Sequence, residues 1–320
     1  MIGVIKRGIW KGLTLTWTLG KVIFPVTLFV TILRYTPALP WLMERLTPIL
    51  KFIGLSGEAA VPLVLGNFLN LYAGIAAIVS FDFTVKEVFI MAVMLSFSHN
   101  LFIESAVASK VGVKWWVVVG IRISLAFLSA ALINGVWNGG DQLSQYGFIS
   151  KAEQIPDGWF AISLQGLETA FMGVLQLALI VIPLMVGIQF MREKGWMDFL
   201  SEKLAPFMKV LGMRENTSMT LVAGLTIGLA YGAGLMIQAV QEDGVTKKDM
   251  YLALIFLVSC HAVVEDTLIF IPLGIPVWPL LLFRVTTAIV LTAVVGFAWN
   301  RVEINKGRKE LAHEHSYHSV

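Results

Sequence analysis

The sequence predicts an all-α integral membrane protein made of two inverted-topology repeats, with broken or re-entrant helices and interfacial amphipathic helices. The first observation is composition: 57% of the 320 residues are apolar and only 14% are charged, whereas soluble proteins average roughly 25% charged residues. The second is a mean hydropathy of +0.78. The third is a repeat: apolar, amphipathic and glycine-punctuated segments follow one another in the same order in both halves of the chain. At ~20 residues per span, the chain is long enough for about eight to ten spans.

The first repeat is assigned to residues 1–137. Within it, segment 34–55 contains three prolines and mixes apolar with charged residues, which favours an amphipathic helix at the membrane interface. Segment 58–80 is apolar but punctuated by proline, glycine and asparagine, which is typical of a broken or re-entrant helix. Irregular backbone at membrane depth is tolerated only where protein or a cavity covers it. The other apolar segments of this repeat are 12–33, 84–110 and 115–137.

An external linker at 138–165 separates this repeat from a second one, assigned to residues 166–300. A cytoplasmic tail at 301–320 follows. The second repeat contains the same kinds of segment in the same order. They are a span at 167–190, an amphipathic segment at 191–214, a glycine-rich segment at 216–240, a segment with a polar motif at 246–272, and a span at 277–299.

Equivalent residues of the two repeats lie at a nearly constant distance along the chain. Pro25 corresponds to Pro183 at an offset of 158 (183 − 25). The offset is 161 at the polar motifs and reaches 162 at Arg122 and Arg284 (284 − 122). We therefore expect an insertion in a loop near 241–244, where extra residues are tolerated.

The distribution of positive charge predicts the orientation of the chain. Residues 1–11 contain three Lys/Arg, the segment after Asn300 contains four, and the loop between the halves contains one. Positive residues accumulate on the cytoplasmic side of membrane proteins, so both termini are expected in the cytoplasm and the linker outside. Each half then crosses the membrane an odd number of times, and the two halves have opposite orientation, which defines an inverted repeat.

Two polar motifs interrupt apolar segments at equivalent places, Phe97–Ala106 and Val258–Thr267. Polar groups in hydrocarbon are costly and mark a site by default. At an offset of 161, Asn100 aligns with His261 and Glu104 with Glu265; each repeat then carries an i,i+4 pair on one helix face. The candidate substrate- or ion-binding residues of these motifs are His99, Asn100, Glu104, His261, Glu265 and Asp266.

A purely structural role is an alternative for the two glutamates. Arg122 follows Glu104 by 18 residues and Arg284 follows Glu265 by 19, which is consistent with one buried ion pair in each half. His99, His261 and Asp266 have no such partner in the sequence and favour a functional role. Alternatively, the two arginines could bind an anion.

Uncharged hydrogen-bonding residues lie in the broken segments. They could bind a polar substrate or satisfy the backbone groups that a broken helix leaves open. Neither interpretation is favoured by sequence alone. These residues are Asn67, Asn70, Asn216, Thr217 and Ser218.

Other classes of site find little support. The residue types of His99, Cys260, His261, Glu265 and Asp266 suit a transition metal, but their spacing matches no known ligand pattern, so we assign no metal site. The sequence contains no Walker loop, nucleophile elbow or HExxH motif. We expect neither an enzyme nor a cofactor. The basic residues mark loops and chain ends, so we expect no nucleic acid partner.

The stretches LTPILKFIGLSGEAAVPLVLGN and LAPFMKVLGMRENTSMTLVAG share one form. An amphipathic helix ends in Ile-Gly or Leu-Gly, and a short polar patch then opens a glycine-broken apolar segment. This form resembles the nucleoside recognition, or Gate, membrane domain. That family includes spore maturation membrane proteins, the membrane region of bacterial ferrous-iron transporters, and relatives of concentrative nucleoside transporters.

The resemblance covers most of the chain and carries expectations of its own. It implies a bacterial cytoplasmic membrane. The patches Gly57–Glu58 and Asn216–Ser218 are similar to the hairpin patches with which nucleoside transporters hold the base and ribose. The chain lacks the GTPase of the iron transporters and is shorter than a full nucleoside transporter.

The function predicted is that of a secondary transporter working by alternating access, coupled to H⁺ or another cation. Its substrate would be a small polar or ionic solute, such as a nucleoside-like compound or a metal ion. Two alternatives remain open: a non-transporting assembly or maturation factor, and a carrier of lipid or polyprenyl phosphate. We expect the lipid bilayer and a small-molecule or ion substrate as partners, and we allow for a homodimer.

Overall fold

The computed structural model describes residues 2–110, 113–147, 158–229 and 244–317. These residues are helical apart from connections and one isolated β-bridge. The helices are α1 (Ile2–Arg34), α2 (Ala38–Phe52), α3 (Ala60–Phe68), α4 (Leu71–Ile78), α5 (Val85–Ser98), α6 (Leu101–Lys110), α7 (Trp115–Val136), α8 (Gly158–Glu193), α9 (Trp196–Leu204), α10 (Ser218–Ile227), α11 (Lys247–Ser259), α12 (Glu265–Leu268) and α13 (Val277–Tyr317). Short 3-10 turns occupy Gly57–Ala59, Ala205–Lys209, Glu215–Thr217 and Ile271–Leu273.

Within the described ranges, five helices are long and apolar enough to cross a membrane. A sixth crossing is added if the bent pair Met43–Phe52 and Gly57–Phe68, whose axes differ by 99°, is counted as one broken span. The five are Gly3–Leu33, Val85–Ala106, Trp115–Val136, Gly158–Met191 and Val277–Val302. The all-helical membrane architecture predicted from composition is thereby confirmed.

Several boundaries differ from those expected. Helix α1 begins at Ile2, ten residues before the predicted span (12 − 2). Helix α8 begins at Gly158, inside the range assigned to the linker, because Trp159 and Phe160 extend its apolar stretch. Helix α13 continues through the predicted tail to Tyr317. Residues 148–157 of the expected external loop and most of the expected insertion at 241–244 lie outside the described residues.

The segment predicted to be broken is divided into α3 and α4. Helix α3 ends at Phe68, and α4 begins after Asn70, whose side-chain oxygen accepts a hydrogen bond from the amide of Ala73. Its counterpart α10 ends at Ile227, where Gly228 adopts φ 83°. That conformation is readily accessible only to glycine and terminates the helix.

Helices α1 and α8 pack against each other in antiparallel fashion. A Cβ added to Gly8 would lie 2.5 Å from the Cα of Val186, and one added to Gly12 would lie 2.8 Å from the Cα of Ile182. Glycines four residues apart thus let the two backbones approach, as small residues do in membrane helix pairs. Because the residue number rises along α1 as it falls along α8, the two helices run in opposite directions.

Helices α5 and α11 form the centre of the molecule. Residues 88–98 of α5 and 252–259 of α11 are all buried. Both helices begin with a threonine cap, because Thr84 accepts a hydrogen bond from the amide of Glu87 and Thr246 accepts one from the amide of Asp249. Both end at a polar motif, and these two ends form the site described next.

Candidate functional site

The two polar motifs meet in the interior, where α5 and α11 end. The ring centroids of His99 and His261 are 5.2 Å apart, and both residues are buried. Beside them the backbone turns through positive φ, at Asn100 (50°) and Ala262 (41°). The amide of each turn residue donates to a carbonyl of a broken helix: Asn100 to Gly66 of α3 (2.9 Å) and Ala262 to Gly224 of α10 (3.1 Å).

These contacts correct the register predicted for the motifs. The equivalent residues are His99 and His261, at an offset of 162 (261 − 99), rather than Asn100 and His261. Glu104 is therefore equivalent to Asp266 and not to Glu265. The sequence match at 161 rested on one serine and one glutamate, whereas the turn geometry, the histidines and the arginines all agree on 162.

Both imidazole rings are held by their own helices. The Nδ1 atom of His99 lies 2.7 Å from the carbonyl oxygen of Leu95, and that of His261 lies 2.8 Å from the carbonyl oxygen of Leu257. A ring nitrogen close to a carbonyl oxygen carries the proton and donates it, which leaves Nε2 as the acceptor in the neutral ring. The fold thus aims both Nε2 atoms at the centre of the site.

Carboxylates of both halves converge on these nitrogens. Glu104 lies 3.4 Å from Nε2 of His99 through one oxygen and 3.4 Å from Nε2 of His261 through the other. The Oδ2 atom of Asp266 lies 3.6 Å from Nε2 of His261. We call His99, Glu104, His261 and Asp266 the central cluster.

Two fully buried arginines hold the carboxylates. Arg122 donates to Phe97 O (2.7 Å), to His99 O (2.5 Å) and to Glu104 Oε2 (2.8 Å). It thereby caps the end of α5 and binds the carboxylate with one side chain. The predicted pairing of Glu104 with Arg122 is confirmed.

The predicted pairing of Glu265 with Arg284 is wrong. Arg284 donates instead to Asp266 Oδ2 (3.2 Å), to His261 O (3.0 Å) and to Thr267 Oγ1 (3.3 Å). The expectation that Asp266 has no arginine partner is wrong for the same reason. Neighbouring residues on a helix point about 100° apart, so only one of two adjacent carboxylates can face Arg284.

Glu265 has a different partner. Its Oε1 atom accepts a hydrogen bond of 2.5 Å from the hydroxyl of Tyr72. Tyr72 belongs to α4 in the first half, so this contact also joins the two halves at the site. Nothing in the spacing of the sequence links these two residues, which are 193 positions apart.

The uncharged candidates have separate positions. Asn67 donates to Leu63 O (2.7 Å), and Asn70 caps α4, so both satisfy backbone of the broken segment. Ser218 contacts Ser201 of α9 through their hydroxyls (2.9 Å), Thr217 is buried in a 3-10 turn and Asn216 is exposed. Asn100 contributes its backbone to the site, while its side-chain oxygen is buried with no hydrogen-bond partner among the described residues.

The central cluster has donor types and spacings that suit a metal ion. Ligand atoms of His99, His261 and Asp266 lie within 4.8 Å of one another. Metal–ligand distances of about 2.0–2.1 Å in a tetrahedron place ligand atoms roughly 3.4 Å apart, close to the separations around Glu104. A carbonyl bound to the remote ring nitrogen is the usual support of a metal-binding histidine. The spacing of the sequence did not indicate this set, because it combines both halves.

Comparison with known proteins gives a consistent result. The Gate family, described as nucleoside recognition, matches residues 16–114 and 174–276, one region in each half. The uncharacterized membrane protein YvoD of Bacillus subtilis (strain 168) is 61% identical over 298 residues, which are 93% of this chain and 96% of that protein. No solved structure matches this chain.

Proposed function

Because this chain belongs to the Gate (nucleoside recognition) family and is a membrane protein, we propose that it is a secondary transporter coupled to a cation bound at the central cluster. The cation is H⁺ or a metal ion. One observation carries the proposal: Glu104 of the first half lies 3.4 Å from Nε2 of both histidines, one from each half. A cation held there is bound by both halves at once, so relative motion of the halves changes its coordination.

Opposite orientation of the two halves is part of this proposal. Helices α1 and α8 occupy equivalent places in the two repeats and run antiparallel, which supports an inverted relation. In transporters of this design, substrate and coupling ion bind between the repeats, beside interrupted helices. Here Gly66 and Gly224, in the broken segments α3 and α10, each accept a hydrogen bond from the turns of the cluster. We propose that these segments are re-entrant.

The atoms that face the centre of the cluster favour a cation over an anion. Glu104 and Asp266 balance Arg122 and Arg284 in formal charge. In a neutral His261 the Nε2 atom is an acceptor; it is buried without a hydrogen-bond partner among the described residues and lies 3.4 Å from Glu104 and 3.6 Å from Asp266. Acceptors that face one another repel, and a cation between them removes that repulsion.

The two arginines do not support the alternative of a carrier of lipid or polyprenyl phosphate. It required Arg122 and Arg284 without acidic partners, and each has a buried carboxylate within 3.2 Å. A small polar solute of the nucleoside class remains the substrate we propose, on the basis of the family's description and of the polar broken segments.

The test is uptake into liposomes containing the purified protein. We would impose a gradient of H⁺, Mn²⁺, Fe²⁺ or Zn²⁺ in turn and follow both that cation and radiolabelled nucleosides. The expected result is gradient-driven uptake that is lost in His261→Ala and His99→Ala. The exposed Glu193→Gln serves as the control and is expected to transport normally.

A different outcome would decide against transport. If no gradient drives uptake and no cation raises the melting temperature of the protein, the central cluster is a structural polar network. The assembly or maturation role would then become the leading hypothesis. If a cation binds without any flux, the cation site stands and the transport proposal fails.

A further inference from the structure

A second site lies at the surface, between the second half and the start of α7 of the first half, away from the central cluster. It is a cavity of about 1040 Å³ formed where α7, α11 and α13 meet the turn after α9. Five cationic side chains line it: Lys114, Lys209, Arg214, Lys247 and Lys248. We infer that this basic cavity binds a phosphate-bearing anion, a role independent of the proposed transport.

The positive charge of the basic cavity is only partly compensated. Asp249 is buried and lies 3.3 Å from Arg214, and Glu215 lies 2.8 Å from Lys209. Lys114 and Lys247 hold no carboxylate among the described residues, so their charges face the concave surface in addition to these pairs. Like charges at this density repel one another, and an anion between them removes that repulsion.

Two helix N-termini add to the positive potential of the basic cavity. Lys247 and Lys248 are the first two residues of α11, and Lys114 is the N-cap of α7. A helix N-terminus has a partial positive charge, so lysines placed there are unfavourable for the helix by themselves. The same position is favourable for a bound anion, because the helix dipole and the lysine side chains both attract it.

The first half provides an internal comparison. At the equivalent positions it has Ser56 for Arg214 and Val85 for Lys247, while Pro276 takes the place of Lys114. The aromatic wall is present in both halves, since Tyr251 and Trp299 (5.8 Å between ring centroids) correspond to Phe89 and Trp137 (5.4 Å). The aromatic pair is thus common to both halves, whereas the three additional cations are specific to this cavity.

The cytoplasmic bias of positive charge in membrane proteins does not by itself explain the basic cavity. The bias of positive charge toward the cytoplasm requires lysines in cytoplasmic loops, but it does not require them to converge on one cavity. Tryptophans such as Trp116 and Trp299 are frequent at the level of lipid headgroups. The shared chemistry is a phosphate group, supplied either by an anionic phospholipid or by a soluble phosphate.

The experiment measures binding to the full-length protein in detergent by native mass spectrometry and thermal stabilisation. The probes are phosphatidylglycerol, phosphatidylcholine and inorganic phosphate. The test variant is Lys114→Gln/Lys247→Gln, since neither lysine holds a carboxylate in the described structure. The matched control is Lys51→Gln/Lys86→Gln, which removes the same charge from the first half.

We expect the protein to prefer phosphatidylglycerol over phosphatidylcholine, and the test variant to bind it about thirtyfold more weakly. The control should retain wild-type affinity. Competition by inorganic phosphate would identify a soluble anion as the ligand, and its failure would identify the lipid headgroup. Equal binding of the two lipids with no effect of phosphate would overturn the inference, as would equal losses in the two variants.

Discussion

Each half contains a histidine, a carboxylate and an arginine that lie together, and the hydrogen bonds of the arginine are shorter in the first half than in the second. In the first, Arg122 makes three hydrogen bonds of 2.5–2.8 Å. In the second, Arg284 makes three of 3.0–3.3 Å. Each arginine leaves one buried nitrogen without a partner among the described residues, Nη1 of Arg122 and Nε of Arg284. The helix after the turn is α6 in the first half, with ten residues, and α12 in the second half, with four. The first copy is thus the firmly held one.

One methylene group explains much of the asymmetry. Glu104 is longer than its equivalent Asp266, so it reaches His261 of the other half while its Oε2 accepts from Arg122. Asp266 contacts only groups of its own half in the described structure, Arg284 and His261. A duplicated site has therefore become one site with an anchored and a looser side. We propose that the looser side moves during transport.

The largest expected effect follows from removing the charge of Glu104. Glu104→Gln leaves Arg122 buried without a carboxylate, and breaking such a pair costs about 3–5 kcal/mol. Asp266→Asn should cost roughly half as much, because Arg284 retains Thr267 and its bonds are longer. Melting temperatures of the purified variants in one detergent give the comparison. Equal losses would show that the two sides are equally rigid.

A double-mutant cycle sharpens this comparison. Asp266→Asn combined with Arg284→Met should show coupling of about 1 kcal/mol or more, since the residues are in contact. Glu265→Gln with Arg284→Met is the control and should be additive. Coupling in the Glu265 cycle alone would restore the pairing inferred from spacing.

The next effect concerns a tight turn present in both halves. Gly54 and Gly212 have φ of 79° and 78°, but Gly54 faces the side chain of Asn134 while Gly212 faces the backbone of Gly296. A Cβ on Gly296 would lie 2.6 Å from the carbonyl oxygen of Leu211. Gly296→Ala should therefore destabilise the protein by about 1–3 kcal/mol.

Asn134→Ala, at the equivalent position, only removes a side chain and should cost less than about 1 kcal/mol. Chemical denaturation or thermal melting of both variants compares the halves directly. A tolerated Gly296→Ala would mean that α13 can shift away from the turn, contrary to the close packing described.

The smallest effect distinguishes the two ends of the α1–α8 pair. At one end Arg7 donates to Glu193 (2.7 and 2.9 Å), and at the other the hydroxyl of Tyr35 donates to Gln165 (3.1 Å). Hydrogen bonds from Gln189 and then from Arg7 hold the pKa of Glu193 below its ordinary value. Because the pKa of Glu193 is lower in the folded protein than in the unfolded one, the ionised carboxylate stabilises the fold at a pH above the unfolded pKa. This stabilisation is lost as the pH falls through the folded pKa.

We would compare protection factors from hydrogen exchange, which correct for the slower intrinsic exchange at lower pH. As the pH falls from 7, protection should decrease at the Arg7 end. The Tyr35 end, whose contact contains no carboxylate, should keep its protection. In Glu193→Gln the difference between the ends should disappear, and an equal loss of protection at both ends would contradict this account.

Composition and pattern were sufficient for the class of the protein and for the breaks in its glycine-punctuated segments. Apolar spans, the amphipathic segment before Gly57 and the glycine-interrupted segments follow from the free energy of burying side chains and backbone in lipid. Proline, glycine and asparagine mark breaks by their own backbone preferences. These are local properties, so the breaks at Asn70 and Gly228 could be predicted from sequence. The break at Asn100 was not predicted, because segment 84–110 was treated as one element with Asn100 and Glu104 on one helix face.

Tertiary structure alone decided which carboxylate meets which arginine. Glu265 and Asp266 are adjacent, and the sequence offers two registers, 161 through Ser98 and Glu104 and 162 through the histidines and arginines. The direction of each side chain in the structure decides between them. The contact of Glu104 with His261 and that of Tyr72 with Glu265 join residues far apart in the chain. Such contacts depend on how the two halves pack, which no periodicity within one segment encodes.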